Sequence, residues 1–72
     1  MPVAVMTTVP ANVWKILVQQ GERVTQGDVL FVLELMKTEI PHPAPVSGTV
    51  SAVHLAEGDV VDAEVIAMEI AE

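Results

Sequence analysis

The chain has 72 residues, no cysteine, and a formal net charge of −7 from ten acids and three bases. A chain this short forms one small domain, and without cysteine no disulfide or thiolate metal cluster can reinforce it. Lys15, Arg23 and Lys37 are too few for the basic patch that nucleic acids or anionic membranes require. A protein partner with a basic surface suits this charge better, although acidic residues also simply keep small domains soluble.

Neither a targeting signal nor a membrane-spanning segment is visible in the sequence. The Met1-Pro2 start shows no basic region followed by an apolar one, which a secretory signal would have. No apolar run approaches the ~18 residues that a membrane-spanning helix needs. We therefore expect a cytoplasmic protein without membrane association.

Short valine-rich segments punctuated by Gly, Pro and Asp predict an all-β sandwich or barrel. The first two predicted strands are Val3 to Met6 and Val13 to Val18. In the second of these, simple alternation places Trp14, Ile16 and Val18 on one face.

The most apolar stretch, Val29 to Met36, predicts a strand covered on both faces, because apolar residues occupy both alternating sets. After Lys37 a return strand starts at Glu39, and prolines at 41, 43 and 45 limit it, because proline donates no ladder hydrogen bond. Further strands are predicted at 50–55, 60–61 and 65–70.

The two halves of the chain repeat each other at an offset of 37 residues. Gly21-Glu22 recurs as Gly58-Asp59, and branched or apolar residues match on both sides of it. We predict a single domain over residues 1–72 with internal half-repeats at about 9–36 and 46–72. Lys37 lies between the halves, at the end of the domain away from the chain termini, which suggests a tether for a covalently attached group.

The segment Glu34-Leu35-Met36-Lys37-Thr38 resembles the attachment sequence of the biotinyl/lipoyl attachment domain family, in particular the biotin carboxyl carrier type. Further similar segments are Val13-Trp14-Lys15-Ile16, Gly21-Glu22-Arg23-Val24, Gly27-Asp28-Val29-Leu30, Gly48-Thr49-Val50 and Glu57-Gly58-Asp59-Val60-Val61. The resemblance implies a flattened β-barrel or sandwich of two four-stranded antiparallel sheets with quasi-two-fold symmetry. The lysine would then lie on an exposed hairpin turn.

The resemblance also implies roles for residues and partners. Lys37 would carry biotin through an amide bond, and Met36 and Thr38 would belong to the motif that a biotin protein ligase recognises. Glu34, Leu35 and Glu39 would flank the site. The carrier would serve a biotin carboxylase and a carboxyltransferase without being catalytic itself.

This sequence departs from the family pattern and from simple turn rules. Leu35 stands where a small residue is usual, and Thr38 where Met or Leu is usual. A two-residue hairpin turn of the primed type normally has Asn-Gly or Asp-Gly, because its central residues need positive φ. Met36-Lys37 has neither, so propensity alone would continue the strand. Such local conflicts are typical of functional sites.

Other interpretations remain open. A lipoyl carrier is the main alternative, but lipoyl domains present Asp-Lys-Ala, and Met36 favours biotin. An unmodified interaction module of the same fold is a third. His42 and His54 lack metal-ligand spacing, and Ser47 has no partners for nucleophilic catalysis. We therefore predict no catalytic residue and no metal site.

Overall fold

The computed structural model describes residues 2–72, which form eight β-strands. They are β1 (Pro2–Met6), β2 (Ala11–Ile16), β3 (Arg23–Val24), β4 (Val29–Leu35), β5 (Thr38–Pro43), β6 (Gly48–Val53), β7 (Val60–Val61) and β8 (Ile66–Ala71). Among these residues there is no helix with the length and apolar character needed to cross a membrane.

The strands form two four-stranded antiparallel sheets, in the orders β1-β8-β6-β3 and β5-β4-β2-β7. Each strand of the first sheet has a counterpart in the second, since β1 to β4 correspond to β5 to β8. The predicted all-β fold of two four-stranded sheets is confirmed. Neither sheet is built from one half of the chain alone, so the two halves must fold together.

Backbone hydrogen bonds repeat at the 37-residue offset and join the two halves. Gly21 N–H donates to the Val50 carbonyl at 2.7 Å, and Gly58 N–H donates to the Val13 carbonyl at 2.8 Å. Val50 N–H in turn donates to the carbonyl of Glu22, just as Val13 N–H donates to that of Asp59. The turn of each half therefore holds a strand of the other half, which gives the molecule its quasi-two-fold symmetry.

The core between the sheets is aliphatic, apart from Phe31. Its fully buried side chains include Leu30, Phe31, Leu33, Val50 and Ile70. Each large apolar side chain removed from water contributes about 1.5–3 kcal/mol. For a chain of 72 residues this small core is the main source of stability.

Strand β2 departs from the predicted alternation. Trp14 is 44% exposed and does not share the core face with Val18, whereas Val13 is buried. The pairing of β2 with β4 shifts register between Val13 and Lys15. A β-bulge adds one residue to one strand, so the residues before and after it no longer alternate in phase. The single-face prediction for this strand was wrong for that reason.

The boundaries of two other strands also differ from the sequence prediction. Strand β4 ends at Leu35, one residue earlier than predicted, because Met36 belongs to the turn. Strand β5 continues through Pro41 and Pro43. It lies at the edge of its sheet, where the missing N–H groups of the prolines need no ladder partner.

Candidate functional site: the turn between β4 and β5

The β4–β5 hairpin places Lys37 at its tip. Leu35 pairs with Thr38, so Met36 and Lys37 alone form the loop. Their φ angles are 51° and 65°. Positive φ at both central residues defines a type I′ turn, whose twist matches that of the flanking strands. The turn predicted from the family resemblance is therefore present, although neither residue is one that normally favours it.

This backbone conformation has an energetic cost. In the left-handed region Cβ approaches the following carbonyl oxygen, which costs an L-residue roughly 1–2 kcal/mol. Among residues 2–72 the non-glycine residues with positive φ are Met36, Lys37 and Glu64. Two of the three lie in this turn. The ladder of β4 and β5 compensates for the cost and holds the turn in one defined shape.

The side chains of the turn point into solvent. Met36 is 88% exposed, which is unusual for a large apolar residue, and Lys37 is also exposed. Within residues 2–72, Lys37 Nζ makes no hydrogen bond and no ion pair. Its amine is therefore free to react with, or to be covered by, another molecule.

Carboxylates flank the lysine on both strands. Glu34 of β4 lies directly opposite Glu39 of β5. Like charges at directly opposite positions of an antiparallel pair are destabilising. The sequence predicted both residues as flanking the site, and the structure brings them together beneath the turn. Two carboxylates therefore lie together on the strands that carry the turn.

A groove beside the turn was not predicted from the sequence. It has a volume of about 270 Å³ and is lined by residues 10–12, 34–36 and 60–62. Val60 contributes an apolar side chain that is 80% exposed. The groove begins at Met36, so it adjoins the residue that precedes Lys37. The signal that could have revealed it is the apolar Val60 of β7, where the equivalent strand β3 has Arg23.

The two histidines lie elsewhere and have structural contacts. His42 is buried and stacks on Phe31, with ring centroids 4.6 Å apart. Its Nε2 lies 3.3 Å from Thr8 Oγ1. His54 follows β6 of the other sheet, and its Nε2 is 2.8 Å from a Glu69 carboxylate oxygen. Residues 2–72 contain no group of three or more His, Cys, Asp or Glu side chains positioned to hold a metal ion.

Comparison of the sequence with known protein families shows which family the chain belongs to. The family model described as "Biotin-requiring enzyme" matches residues 1–70. The chain belongs to the biotin/lipoyl attachment family.

Two relatives in this family are of similar length to the chain. A biotinylated protein TB7.3 homolog of Mycobacterium leprae is 44% identical over 59 residues, which covers 82% of this chain and 83% of the relative. A biotin/lipoyl attachment protein of Bacillus subtilis is 39% identical over 59 residues, covering 82% of this chain and 81% of the relative. The similarity therefore extends over more than four-fifths of this chain and of each relative.

The fold also matches a domain of a much larger enzyme. The crystal structure of the Kluyveromyces lactis urea carboxylase superimposes with a TM-score of 0.91 and 28% sequence identity. The match covers 99% of this chain but only 6% of that protein. The same fold therefore occurs both as a short chain and as a small part of a much larger protein.

Proposed function

We propose that Lys37 is the residue of this chain that carries biotin, joined to Nζ as an amide. The observation that supports this most strongly is the position of the lysine at the tip of a two-residue turn with positive φ at 51° and 65°. The amine lies in solvent without an ion pair among residues 2–72. A group attached there would meet no obstruction from the sheets.

A separate enzyme must load the lysine. Amide formation needs an activated acyl group and a base that accepts the proton released by the amine. No hydrogen-bonding base lies at Nζ within the part of the chain that the structure describes. A biotin protein ligase would supply the activation. Met36 and Thr38 flank the amine and would form the surface that the ligase reads.

The rigid turn suits recognition by several enzymes. A ligase, a biotin carboxylase and a carboxyltransferase must each find the same side chain in the same place. The defined backbone of the turn removes conformational freedom that each partner would otherwise have to restrict. Glu34 and Glu39 attract a basic partner surface, while Leu35 closes the hairpin below the turn.

The chain itself would be a non-catalytic carrier in a biotin-dependent carboxylase system. Bound biotin supplies a ureido nitrogen that accepts and donates carboxylate in the active sites of other proteins. The contribution of this chain is the tether. A tethered group reacts at an effective concentration set by the length of its arm, which exceeds that of a freely diffusing cofactor.

A lipoyl carrier is the second candidate, because the family includes proteins named for either group, as the Bacillus subtilis relative is. Met36 favours biotin, since lipoyl domains present an aspartate before the lysine. The test is to treat the purified chain with a biotin protein ligase and, separately, with a lipoate ligase. Intact mass spectrometry should show one biotinyl increment with the first and none with the second. A lipoyl increment alone would reverse the assignment, and no increment with either would contradict both.

A further inference from the structure

The groove beside Lys37 has a chemical character that the fold itself does not require. Its framework is repeated in the other half of the molecule. At the groove, Ala11 of β2 pairs with Val61 of β7, and Asn12 pairs with Val60. At the equivalent place in the other half, Gly48 of β6 pairs with Val24 of β3, and Thr49 pairs with Arg23. Each of these residues lies 37 positions from its counterpart at the groove.

The side chains at the two equivalent places differ. Val60 corresponds to Arg23, Pro10 to Ser47, and Leu35 to Glu72. The strand position that presents a charged residue in one copy presents a valine, 80% exposed, in the other. Because Arg23 is accommodated on the same backbone framework, neither the turn nor the core demands an apolar residue there. Of the two equivalent places, the one that adjoins the lysine therefore has the apolar residues Val60, Pro10 and Leu35.

We propose that this groove is a resting site for the ring of the group carried on Lys37. This inference depends on the proposed function only in taking biotin as that group. The biotin ring system is an apolar bicycle that ends in a cyclic urea, which has two N–H donors and one carbonyl acceptor. Val60, Leu35 and Met36 offer apolar contact surface. Asn12 and Glu34, which pair across β2 and β4, also line the groove.

The polar side chains match the urea. The Glu34 carboxylate accepts hydrogen bonds from N–H groups, and the Asn12 amide can donate one to a carbonyl oxygen. The dithiolane ring of lipoate has no N–H to donate, so it would use the apolar wall alone. The groove therefore suits the cyclic urea of biotin better than the dithiolane ring of lipoate.

The size of the groove favours a small ring over a protein surface. Its volume of about 270 Å³ lies just below the ~300–1,000 Å³ range of small-molecule sites. A stable protein interface buries ~800 Å² on each partner, far more than one such groove provides. Proteins that dock on the hairpin would extend well beyond residues 10–12, 34–36 and 60–62.

A weak site is sufficient, because the ring is tethered next to it. Met36 and Lys37 are adjacent, so their Cα atoms are about 3.8 Å apart. A short flexible tether gives an effective concentration in the millimolar range. An intrinsic dissociation constant of about 1 mM would therefore keep about half of the rings in the groove. The other half would remain available to partner enzymes.

The first test does not depend on any ligase. The chain has no cysteine, so Lys37→Cys provides a single thiol for a thiol-reactive biotin with a spacer matched to the lysine side chain. Amide chemical shifts from ¹H–¹⁵N NMR spectra are compared before and after attachment. We expect changes at Asn12 and Val60 and none at the equivalent residues Thr49 and Arg23. Changes confined to residues 36–38 would overturn the proposal.

The second test uses a matched pair of variants. Val60→Arg replaces the valine of the groove with the residue type of its counterpart, Arg23. Arg23→Val makes the reverse change at the equivalent position in the other half. If about half of the rings rest in the groove, Val60→Arg should raise the rate of avidin capture by about twofold, because capture follows the free fraction. Arg23→Val should leave this rate unchanged.

The outcomes separate this proposal from the proposed function. If a ligase fails to load the wild-type chain, the proposed function fails, while the Lys37→Cys experiment still decides the role of the groove. If Val60→Arg slows loading by the ligase and the NMR spectra show no contact with the ring, the groove is part of a protein-docking surface. That result would overturn the resting site.

Discussion

Gly27 and Glu64 occupy equivalent turns of the two halves, and both have positive φ, at 95° and 62°. Gly27 N–H donates to the carbonyl of Ala44, and Glu64 N–H donates to the carbonyl of Thr7, again 37 residues apart. The fold thus requires the same backbone conformation at both positions, but only one of them has glycine.

Exchanging these residue types should change stability in opposite directions. Glu64→Gly is expected to raise the free energy of unfolding by up to about 1 kcal/mol, since relief of the left-handed conformation outweighs the entropy of glycine in the unfolded chain. Gly27→Ala should lower it by about 1 kcal/mol. A Cβ at Gly27 meets no atom within 4 Å, so the loss reflects backbone conformation and not a clash. Urea denaturation measures both, and a shift in the same direction for both would contradict the explanation.

Gly48 is needed for a different reason, namely close packing. A Cβ added there would clash with the carbonyl oxygen of Ala71 and lie 2.9 Å from Ile70 Cγ2. Gly48→Ala should therefore force β6 and β8 apart and cost about 1–3 kcal/mol of stability. Ala11 is the equivalent residue of the other half and already has a Cβ, so Ala11→Gly is the control, with an expected loss of about 0.5–1 kcal/mol. An unchanged unfolding midpoint in Gly48→Ala would show that β8 can move away at little cost.

Part of the fold could be predicted from the sequence because it depends on repeated signals. The Gly-acid turns at 21–22 and 58–59 and the valine-rich segments indicated short strands in two similar halves, and the family resemblance supplied the two four-stranded sheets. The bulge next to Trp14 could not be predicted, because apolar residues occupy both alternating sets of residues 13–18 and the register shift arises from pairing with β4. Strand ends near prolines were equally uncertain, since only the sheet order shows that Pro41 and Pro43 lie on an edge.

We interpret Met36 as a residue that lowers the stability of the turn but provides a contact for the ligase. Met36→Asn should raise the free energy of unfolding by up to about 1 kcal/mol, because asparagine tolerates the left-handed conformation of a type I′ turn. The same change should lower the rate at which a biotin protein ligase loads Lys37, since the exposed methionine is lost. Leu17→Asn, at another exposed apolar residue, is the control and should bring neither effect. Faster loading of Met36→Asn would contradict the recognition role.

Glu34 and Glu39 provide a test of electrostatic attraction. Glu39→Gln removes one of two opposed carboxylates and should raise stability by about 0.2–1 kcal/mol. It should also slow loading by the ligase at low salt, and the difference should fade at high salt, where screening weakens the attraction. Glu72→Gln makes the same change of charge away from the hairpin and should affect loading less. Equal effects of the two variants would mean that only net charge matters.

The candidate site was predicted unevenly. The position of Lys37 between the half-repeats suggested a tether, and the family resemblance supplied the turn. Propensity alone would have continued the strand through Met36, because methionine and lysine do not favour positive φ. Val60 was missed as a site residue, since a lone valine in a valine-rich chain is not distinctive. Val60 becomes distinctive only by comparison with Arg23, which occupies the equivalent position in β3.

We propose that Lys37 accepts biotin because the turn between β4 and β5 holds its amine in solvent. The chain has only one other lysine, Lys15, which serves as an internal control. The most direct measurement is peptide mapping by mass spectrometry after treatment with a biotin protein ligase, for the wild-type chain and for Lys37→Arg and Lys15→Arg. We predict one biotinyl group on Lys37 in the wild type and in Lys15→Arg, and none in Lys37→Arg. Biotin on Lys15, or a biotinylated Lys37→Arg chain, would contradict the account.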